Sequence, residues 1–175
     1  MKIEPTPLPG VVILTPQRFG DDRGWFSETY NAQVMAEAGI AVAFVQDNHS
    51  RSQKGVLRGL HYQMEQTQGK LVRVCHGAVF DVAVDLRKTS STFGQWVGEY
   101  LSESNKCMMW IPPGFAHGFY VTSDIAEFQY KCTDYYAPDD EYVLLWDDPT
   151  VAVQWPLKTA TPQLSAKDAQ GRLFA

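Results

Sequence analysis

The sequence contains few cysteines, and their spacing suits neither a zinc site nor a disulfide framework. Cys75, Cys107 and Cys132 are odd in number, and no two of them form a Cys-x-x-Cys pair. Disulfide frameworks and structural zinc sites both require sets of suitably spaced cysteines. We therefore expect a protein of a reducing compartment and predict a cytoplasmic location.

The sequence also lacks a long apolar run and an excess of basic residues. No stretch approaches the roughly 18 apolar residues of a membrane-spanning helix, and residues 1–10 contain three prolines instead of the apolar core of a signal peptide. The 15 Lys and Arg residues are outnumbered by 20 Asp and Glu residues, which gives a net charge of −5. Because neutralising phosphates requires a basic surface, we predict no nucleic-acid partner and no membrane partner.

Helical periodicity is scarce in this chain, whose 175 residues predict one domain, residues 1–175. The best helix candidate begins at Asn31, a favoured N-cap, and ends at Gly39, a favoured terminator. Aromatic residues make up 13% of the chain, a share more typical of strands than of helical bundles. The composition therefore favours a mainly β protein with a few short helices.

Alternating apolar residues predict a series of short strands between residues 41 and 145. In residues 79–86 the apolar side chains at even positions share one face, whereas Asp81, Ala83 and Asp85 lie on the other, which we expect to be solvated or functional. Further strands are predicted at 43–46, 71–75, 96–101, 108–111, 126–132 and 142–146. Short strands separated by turn signals predict a β-sandwich or jelly-roll barrel, followed after Pro149 by a coil that ends in one short turn.

Two glycine-containing segments that end in histidine resemble the two motifs of cupin jelly rolls. Gly55 precedes His61 by six residues, and residues 112–117 have the form PxGxxH. Metal-binding cupins need a second histidine and a glutamate after the first motif to complete the ligand set. Tyr62 and Gln63 follow His61 here, so no metal site is predicted. From spacing alone, His61 and His117 are more often packed core histidines than functional ones.

Several cationic side chains lie within one predicted hairpin of this acidic chain. Arg58, His61, Lys70 and Arg73 are the members of this group, and they favour an anionic ligand. Arg58 and His61 are an odd number of residues apart, so a regular strand would direct them to opposite faces. Gly59 between them could form a β-bulge that brings both to one face.

Two polar clusters and one tyrosine are also candidates for function. Residues 21–28 are charged and aromatic and are typical of a solvated turn before an edge strand. Residues 46–51 are polar throughout and typical of a hydrogen-bonding rim, whose amides could pair with a nucleobase. Tyr130 shares a strand face with Phe128 and Cys132, where packing is a more common role than acid catalysis.

Five segments together resemble the dTDP-4-dehydrorhamnose 3,5-epimerase family. They are GVLRGLHYQ at 55–63, GKLVR at 69–73, VFDVAVD at 79–85, IPPGFAHGF at 111–119 and YKCTDYYAP at 130–138, and the likeness extends from residue 23 to residue 168. The resemblance implies an all-β cupin jelly roll that forms a homodimer and acts without metal or other cofactor on a dTDP-sugar. The implied reaction inverts C3 and C5 of dTDP-4-dehydro-6-deoxy-D-glucose in dTDP-L-rhamnose biosynthesis.

The resemblance also implies roles for individual residues. His61 corresponds to the general base, Asp168 to the carboxylate that orients it, and Tyr130 to the general acid. Lys70 is expected to face the sugar O4, where the negative charge of an enolate develops. Further substrate contacts are implied at Arg23, Glu28, Gln46, Asp47, Asn48, Arg58, His117, Glu141 and Lys167, with Arg23 and its neighbours on the diphosphate.

Three alternative functions remain at this point. One is a relative that inverts only C3 or only C5, or that isomerises the keto sugar. Another is a non-catalytic cupin that binds a nucleotide-sugar, which the presence of His61, Asp168 and Tyr130 disfavours because binding alone needs no acid and base. The third is a metal-dependent cupin oxygenase, which Tyr62 and Gln63 disfavour.

Overall fold

The computed structural model describes residues 1–158 and 161–174, and most of its regular structure is antiparallel β-strand. The strands are β1 (Lys2–Pro5), β2 (Val12–Thr15), β3 (Arg18–Asp21), β4 (Gly24–Ser27), β5 (Gln46–Gln53), β6 (Leu57–Gln63), β7 (Lys70–His76), β8 (Ala78–Asp85), β9 (Trp96–Ser102), β10 (Met108–Ile111), β11 (Phe115–Val121), β12 (Ile125–Cys132) and β13 (Glu141–Val143). The helical elements in these ranges are α1 (Ala32–Glu37) and the 3₁₀ turns Pro138–Asp140 and Asp168–Gln170. None of these helical elements has the length and apolar character needed to cross a membrane.

The strands form two large sheets and one separate hairpin. The six-stranded sheet has the order β1-β2-β10-β7-β12-β5, and the five-stranded sheet has the order β13-β6-β11-β8-β9. Among the described residues, strands β3 and β4 pair only with each other. From β5 onward most consecutive strands lie in opposite sheets, which is the arrangement of a jelly roll. The prediction of an all-β jelly roll is confirmed.

The main core lies between the two sheets, where apolar side chains of both inner faces meet. Phe128 of β12 stacks on Phe119 of β11 with 4.2 Å between ring centroids, and both side chains are buried. The outer face of the five-stranded sheet packs against residues after β13, including Val151. The outer face of the six-stranded sheet is covered in part by Met35 of α1. The edge strands β5 and β13 flank the site described below.

Helix α1 forms where the sequence predicted it. The side-chain oxygen of Asn31 accepts hydrogen bonds from the backbone N–H groups of Gln33 at 3.0 Å and Val34 at 3.3 Å, which satisfies two of the donors that every helix start leaves open. Gly39 adopts a positive φ of 83° just after the last turn, a conformation that glycine reaches without strain.

The strand predicted at residues 43–46 is wrong. The strand begins at Gln46 and includes the polar cluster, up to Gln53. Its side chains alternate between more and less exposed positions, so the polar residues at even positions face the interior of the barrel. An apolar-periodicity rule misses such a strand because its inner face lines a cavity instead of a core.

The face of β8 that carries Asp81 and Asp85 was expected to be solvated or functional, and it is not solvated. Asp81 and Asp85 are fully buried. Asp81 accepts a hydrogen bond from His117, and Asp85 accepts hydrogen bonds from Arg87 at 2.7 Å and Ser90 at 2.6 Å. Buried carboxylates persist only when such partners are present. The carboxylates of β8 therefore belong to the interior.

The predicted bulge in β6 is present. Strand β6 pairs with β11 so that His61 lies opposite His117 and Arg58 lies opposite Phe119. Three steps along β6 thus correspond to two along β11, which places Arg58 and His61 on the same face. A Cβ atom on Gly59, whose φ is +118°, would lie 2.7 Å from the His117 carbonyl oxygen. Only glycine permits this approach, and the bulge thereby sets the direction of His61.

Candidate active site

A cavity of about 300 Å³ lies between the two sheets, beside the edge strands β5 and β13. Its walls are formed by polar side chains from both sheets and from the segment after β12. The lining consists of Gln46, Asn48, His61, Tyr62, Gln63, Gln68, Lys70, Tyr130, Tyr136 and Glu141. Six of these were expected from the sequence to be catalytic or to contact substrate, namely Gln46, Asn48, His61, Lys70, Tyr130 and Glu141.

Asp168 contacts His61, as the family resemblance implies. The Nε2 atom of His61 lies 2.5 Å from Asp168 Oδ1. Burial would raise the pKa of Asp168, but hydrogen bonds from His61, Ser165 and the Gly59 backbone outweigh burial and lower the pKa below its usual value. An ionised carboxylate can only accept a hydrogen bond, so Nε2 donates. The other ring nitrogen, Nδ1, is left to accept a proton.

The turn that carries Asp168 is fastened to the barrel on both sides. Gln163 pairs with Val56 and Arg172 pairs with Leu144, each in a parallel bridge. The backbone N–H of Asp168 donates to the Ser165 hydroxyl at 3.1 Å. A residue far from His61 in sequence is thereby fixed against it.

Lys70 extends from β7 into the cavity and is 8% exposed. Burial is the main cause that lowers its pKa, and the neighbouring Cys132, Glu141 and Asp81 side chains oppose the shift. No hydrogen bond or ion pair of the Lys70 ammonium occurs within the described ranges. The cation is therefore available to an anionic or polarised oxygen of a ligand.

Tyr130 lies in β12 of the six-stranded sheet, across the cavity from the strand that carries His61. Burial is the main cause that raises the pKa of its phenol to about 12, and Cys132 and Glu141 add to the effect. The hydroxyl is therefore protonated at neutral pH and can donate a proton. His61 and Tyr130 offer a base and an acid from opposite sheets.

A second histidine–aspartate pair lies deeper in the barrel. Nε2 of His117 is 3.0 Å from both carboxylate oxygens of Asp81, and both residues are buried. Burial raises the pKa of Asp81, whereas His117 and Lys70 act to lower it. Since His117 is the cross-strand partner of His61, the His117–Asp81 pair lies next to the cavity. A direct contact of His117 with substrate stays a prediction.

Glu141 connects His61 to the mouth of the cavity. Its Oε2 accepts a hydrogen bond from the Tyr136 hydroxyl at 2.7 Å and another from the Lys167 ammonium. Its Oε1 lies 3.9 Å from His61 Nδ1. Burial would raise the pKa of Glu141, but the bonds from Lys167 and Tyr136 lower it below the usual value. The hydrogen bond from the Tyr136 hydroxyl to Glu141 raises the pKa of Tyr136.

The inner residues of β5 form a polar wall of the cavity. Gln46 accepts a hydrogen bond from the Tyr136 backbone at 2.9 Å and donates to Asn48 at 3.1 Å. Asp47 points away and forms an ion pair with Lys131 at 2.7 Å. It lines a neighbouring cavity of about 310 Å³ that also contains Glu28 and Tyr130. Tyr130 therefore lines both cavities.

Six of the nine expected substrate ligands lie outside the lining of the His61 cavity, namely Arg23, Glu28, Asp47, Arg58, His117 and Lys167. Arg58 lies on the same face of β6 as His61 and donates to the Ser52 hydroxyl at 3.0 Å. Arg23 lies in the turn between β3 and β4, pairs with Asp21 at 2.5 Å, and has a side chain that is 90% exposed. Within one chain, Arg23 is therefore not part of the cavity.

Sequence reasoning missed four side chains of the cavity lining, namely Tyr62, Gln63, Gln68 and Tyr136, and it missed the role of Asp81 next to the cavity. Tyr136 follows Tyr135 directly, and no pattern indicates which of the two faces the cavity. Asp81 was noticed only as a polar residue in an apolar strand, and its partner His117 lies in a strand that periodicity did not predict.

Groups of three or more His, Cys, Asp or Glu side chains able to hold a metal ion do not occur in residues 1–158 and 161–174.

Comparison with known proteins assigns the chain to a family. The profile described as dTDP-4-dehydrorhamnose 3,5-epimerase matches residues 5–175. A dTDP-4-dehydrorhamnose 3,5-epimerase of Pseudomonas aeruginosa is 60% identical over 176 residues, covering 100% of this chain and 97% of the relative.

Solved structures share the fold over nearly the whole chain. The epimerase RmlC of Legionella pneumophila, in complex with dTDP-4-keto-L-rhamnose, superposes with a TM-score of 0.95 at 57% identity and covers 98% of this chain and 92% of its own. ChmJ of Streptomyces bikiniensis, a 3'-monoepimerase in complex with dTDP-quinovose, gives a TM-score of 0.90 at 28% identity, with 97% and 86% covered. The chain belongs to the dTDP-4-dehydrorhamnose 3,5-epimerase family, and its jelly roll is of the cupin type.

Proposed function

We propose that this protein inverts C3 and C5 of dTDP-4-dehydro-6-deoxy-D-glucose to give dTDP-4-dehydro-L-rhamnose, a step of dTDP-L-rhamnose biosynthesis. One observation carries the proposal within the matched family. A histidine oriented by a carboxylate and a protonated tyrosine are supplied by opposite sheets to one cavity, with a buried lysine on the strand next to that of the tyrosine. This set is what inversion next to a ketone requires.

The ketone of the substrate makes the chemistry accessible to a histidine. A carbanion at C3 or at C5 delocalises onto O4, so the hydrogens on both carbons are acidified. Nδ1 of His61 accepts the proton, and the His61–Asp168 hydrogen bond stabilises the imidazolium that forms. The Lys70 ammonium stabilises the enolate oxygen at O4.

Inversion then requires a proton on the opposite face of the sugar ring. The Tyr130 hydroxyl lies on the other sheet and donates that proton, because its raised pKa keeps it protonated. Since the substrate's own carbonyl takes up the electron pair, the reaction needs no metal and no organic cofactor. Further contacts with the substrate are assigned to Gln46, Asn48, Glu141 and Lys167 near the mouth and to Asp47 and Glu28 in the adjoining cavity.

We also propose that the protein is a homodimer of one-domain chains. Phe19, Trp25 and Phe26 of the β3–β4 hairpin are 57%, 55% and 69% exposed, and exposed apolar surface of this kind marks interaction sites. Arg23 lies on the same hairpin, so packing the hairpin against a second copy could bring its guanidinium to the diphosphate. The three thiols carry no disulfide, which supports the proposed cytoplasmic location.

Solvent-deuterium incorporation tests the proposed reaction. The protein is incubated with the keto sugar in deuterated water, and the product is analysed by NMR. We expect one deuteron at C3 and one at C5 with both centres inverted, and we expect His61→Ala to lower both rates by about 10²- to 10⁴-fold. Product that carries deuterium at neither C3 nor C5 would overturn the proposal.

A single inversion is the second candidate, because the 3'-monoepimerase ChmJ shares this fold. It predicts deuterium in the product at one carbon only. The same NMR measurement therefore separates the two functions.

A further inference from the structure

Glu141 lies beside the nitrogen of His61 that accepts the substrate proton. We propose that Glu141 returns His61 to its neutral form between the two proton abstractions, by accepting the proton from Nδ1 and passing it to solvent. The inference rests on the proposed epimerase function and assigns a proton-transfer role to a residue otherwise expected only to contact substrate.

Two inversions in one binding event create a need for such a step. After the first inversion His61 carries a proton and Tyr130 has lost one. The second abstraction requires an unprotonated Nδ1 on His61 and a protonated hydroxyl on Tyr130. In the reset, the N–H bond at His61 Nδ1 breaks, an O–H bond forms at Glu141 Oε1, and the proton then leaves to water. Tyr130 regains a proton from water, so no net charge or electron is transferred.

The two oxygens of Glu141 are placed differently. Oε2 accepts hydrogen bonds from Tyr136 and Lys167. Oε1 has no hydrogen-bond donor within the described part of the chain, and it lies 3.9 Å from His61 Nδ1. That distance is about 1 Å longer than a direct hydrogen bond, so a small side-chain rotation brings the two atoms into contact.

Other groups around His61 cannot accept its proton as readily. Asp168 already binds Nε2 and is 4% exposed at its side chain. Lys70 and Lys167 are cations, and the Tyr136 hydroxyl already donates to Glu141. Among the described residues of the cavity, Glu141 is therefore the carboxylate that faces Nδ1.

The surroundings of Glu141 also favour release of the proton. Carboxylic acids are in general more acidic than imidazolium, and the bonds from Lys167 and Tyr136 lower the pKa of Glu141 further, against the effect of burial. A proton on Oε1 is thus held only briefly. Lys167 has a side chain that is 50% exposed, so the carboxylate lies next to solvent, where the proton can leave.

A single-turnover experiment with Glu141→Gln tests the relay. Enzyme in excess over the keto sugar is mixed in deuterated water, stopped at increasing times, and analysed for deuterium and configuration at each carbon. We expect the first exchange to change by only a few-fold and the second inversion to slow by a factor on the order of 10², so that singly inverted sugar accumulates. Added formate should restore the second inversion in proportion to its concentration.

Glu127→Gln is the matched control. Glu127 lies 3.4 Å from His49 and outside the cavity lining, so the same charge loss beside another histidine should leave both inversions and their formate response unchanged. If Glu141→Gln slows both inversions equally and formate restores neither, Glu141 acts only in binding and the relay is overturned. Absence of exchange in the unaltered protein would instead reject the epimerase function itself.

Discussion

The ring nitrogen of His61 that acts as the base is selected by its hydrogen bonds. An imidazole can carry its proton on either nitrogen, and the partner of one nitrogen determines the state of the other. Asp168 accepts from Nε2 at 2.5 Å, so Nδ1 is left unprotonated beside Glu141. The chemistry of this residue is therefore determined by two carboxylates that are 80 and 107 positions away in sequence.

Asp168→Asn should disturb this selection. An amide can present its NH₂ group to Nε2, which favours the wrong tautomer, and it stabilises imidazolium less than a carboxylate does. We expect kcat to fall by about 10²- to 10⁴-fold with little change in KM, because Asp168 lies behind His61. Steady-state kinetics measures both constants, and unaltered kcat would show that the dyad has no catalytic part.

Tyr130→Phe should separate proton exchange from inversion. Phenylalanine keeps the ring and its packing near Phe128 but removes the hydroxyl that donates on the opposite face. His61 can still form the enolate and return a deuteron from its own side. We therefore expect deuterium in recovered substrate with little epimer formed. Inversion at the unaltered rate would leave Tyr130 with a structural role only.

At the scale of single elements, the β6 bulge is the feature on which the site depends most. The sequence predicted it from Gly59 and the odd spacing of Arg58 and His61, and the pairing with β11 confirms it. Without the extra residue, Arg58 and His61 would face opposite sides of the sheet. A local backbone irregularity thus places both side chains on one face of the sheet.

Gly59→Ala should therefore be much more harmful than another glycine replacement in the same region. A Cβ on Gly59 would lie 2.5 Å from the Gly118 Cα at a φ of +118°, so we expect the free energy of unfolding to fall by about 3 kcal/mol or more. Gly55→Ala is the control, because its φ of +82° brings strain but no atom lies within 4 Å, and we expect a loss of about 1 kcal/mol. Denaturant unfolding measures both, and equal losses would contradict the steric argument.

Sequence patterns predicted the elements that form the apolar core better than those that line the cavity. The strands expected at 71–75, 96–101, 108–111 and 126–132 match β7, β9, β10 and β12 within two residues at either end. Strand β5 was misplaced because its alternating residues are polar. Strand β11 was not predicted, and β6 was predicted only as part of a hairpin, since glycines at the bulge interrupt their periodicity. The coil predicted after Pro149 is present where described, although residues 159 and 160 lie outside the described ranges.

At the scale of the whole molecule, the jelly roll brings distant segments to one place. His61 and Glu141 come from the five-stranded sheet, Lys70 and Tyr130 from the six-stranded sheet, and Asp168 from the segment that follows the last strand. Packing of the two sheets fixes the distance between base and acid, which no local pattern encodes. The roles of these residues were accessible from the sequence only through the family resemblance.

The exposed hairpin gives a prediction about assembly. Phe26→Glu places a charge on a side chain that is 69% exposed in the single chain, and burying that charge in an interface would be costly. We expect light scattering to show a dimer for the unaltered protein and a monomer for the variant. Leu173→Glu, at a residue 63% exposed near the other terminus, should remain dimeric. A dimer in both variants would place the interface elsewhere.

Mixing two inactive variants tests whether each cavity is completed by its neighbour. Arg23 is remote from the His61 cavity of its own chain, yet it is the expected diphosphate ligand, so the cavity of one copy would use Arg23 of the other. In a hybrid of Arg23→Ala and His61→Ala chains, one of the two cavities then has both residues intact. Because random exchange of subunits makes half of the dimers hybrid, we expect about a quarter of the unaltered activity to return. If the mixture is no more active than the sum of its parts, Arg23 either serves its own chain or does not bind the substrate.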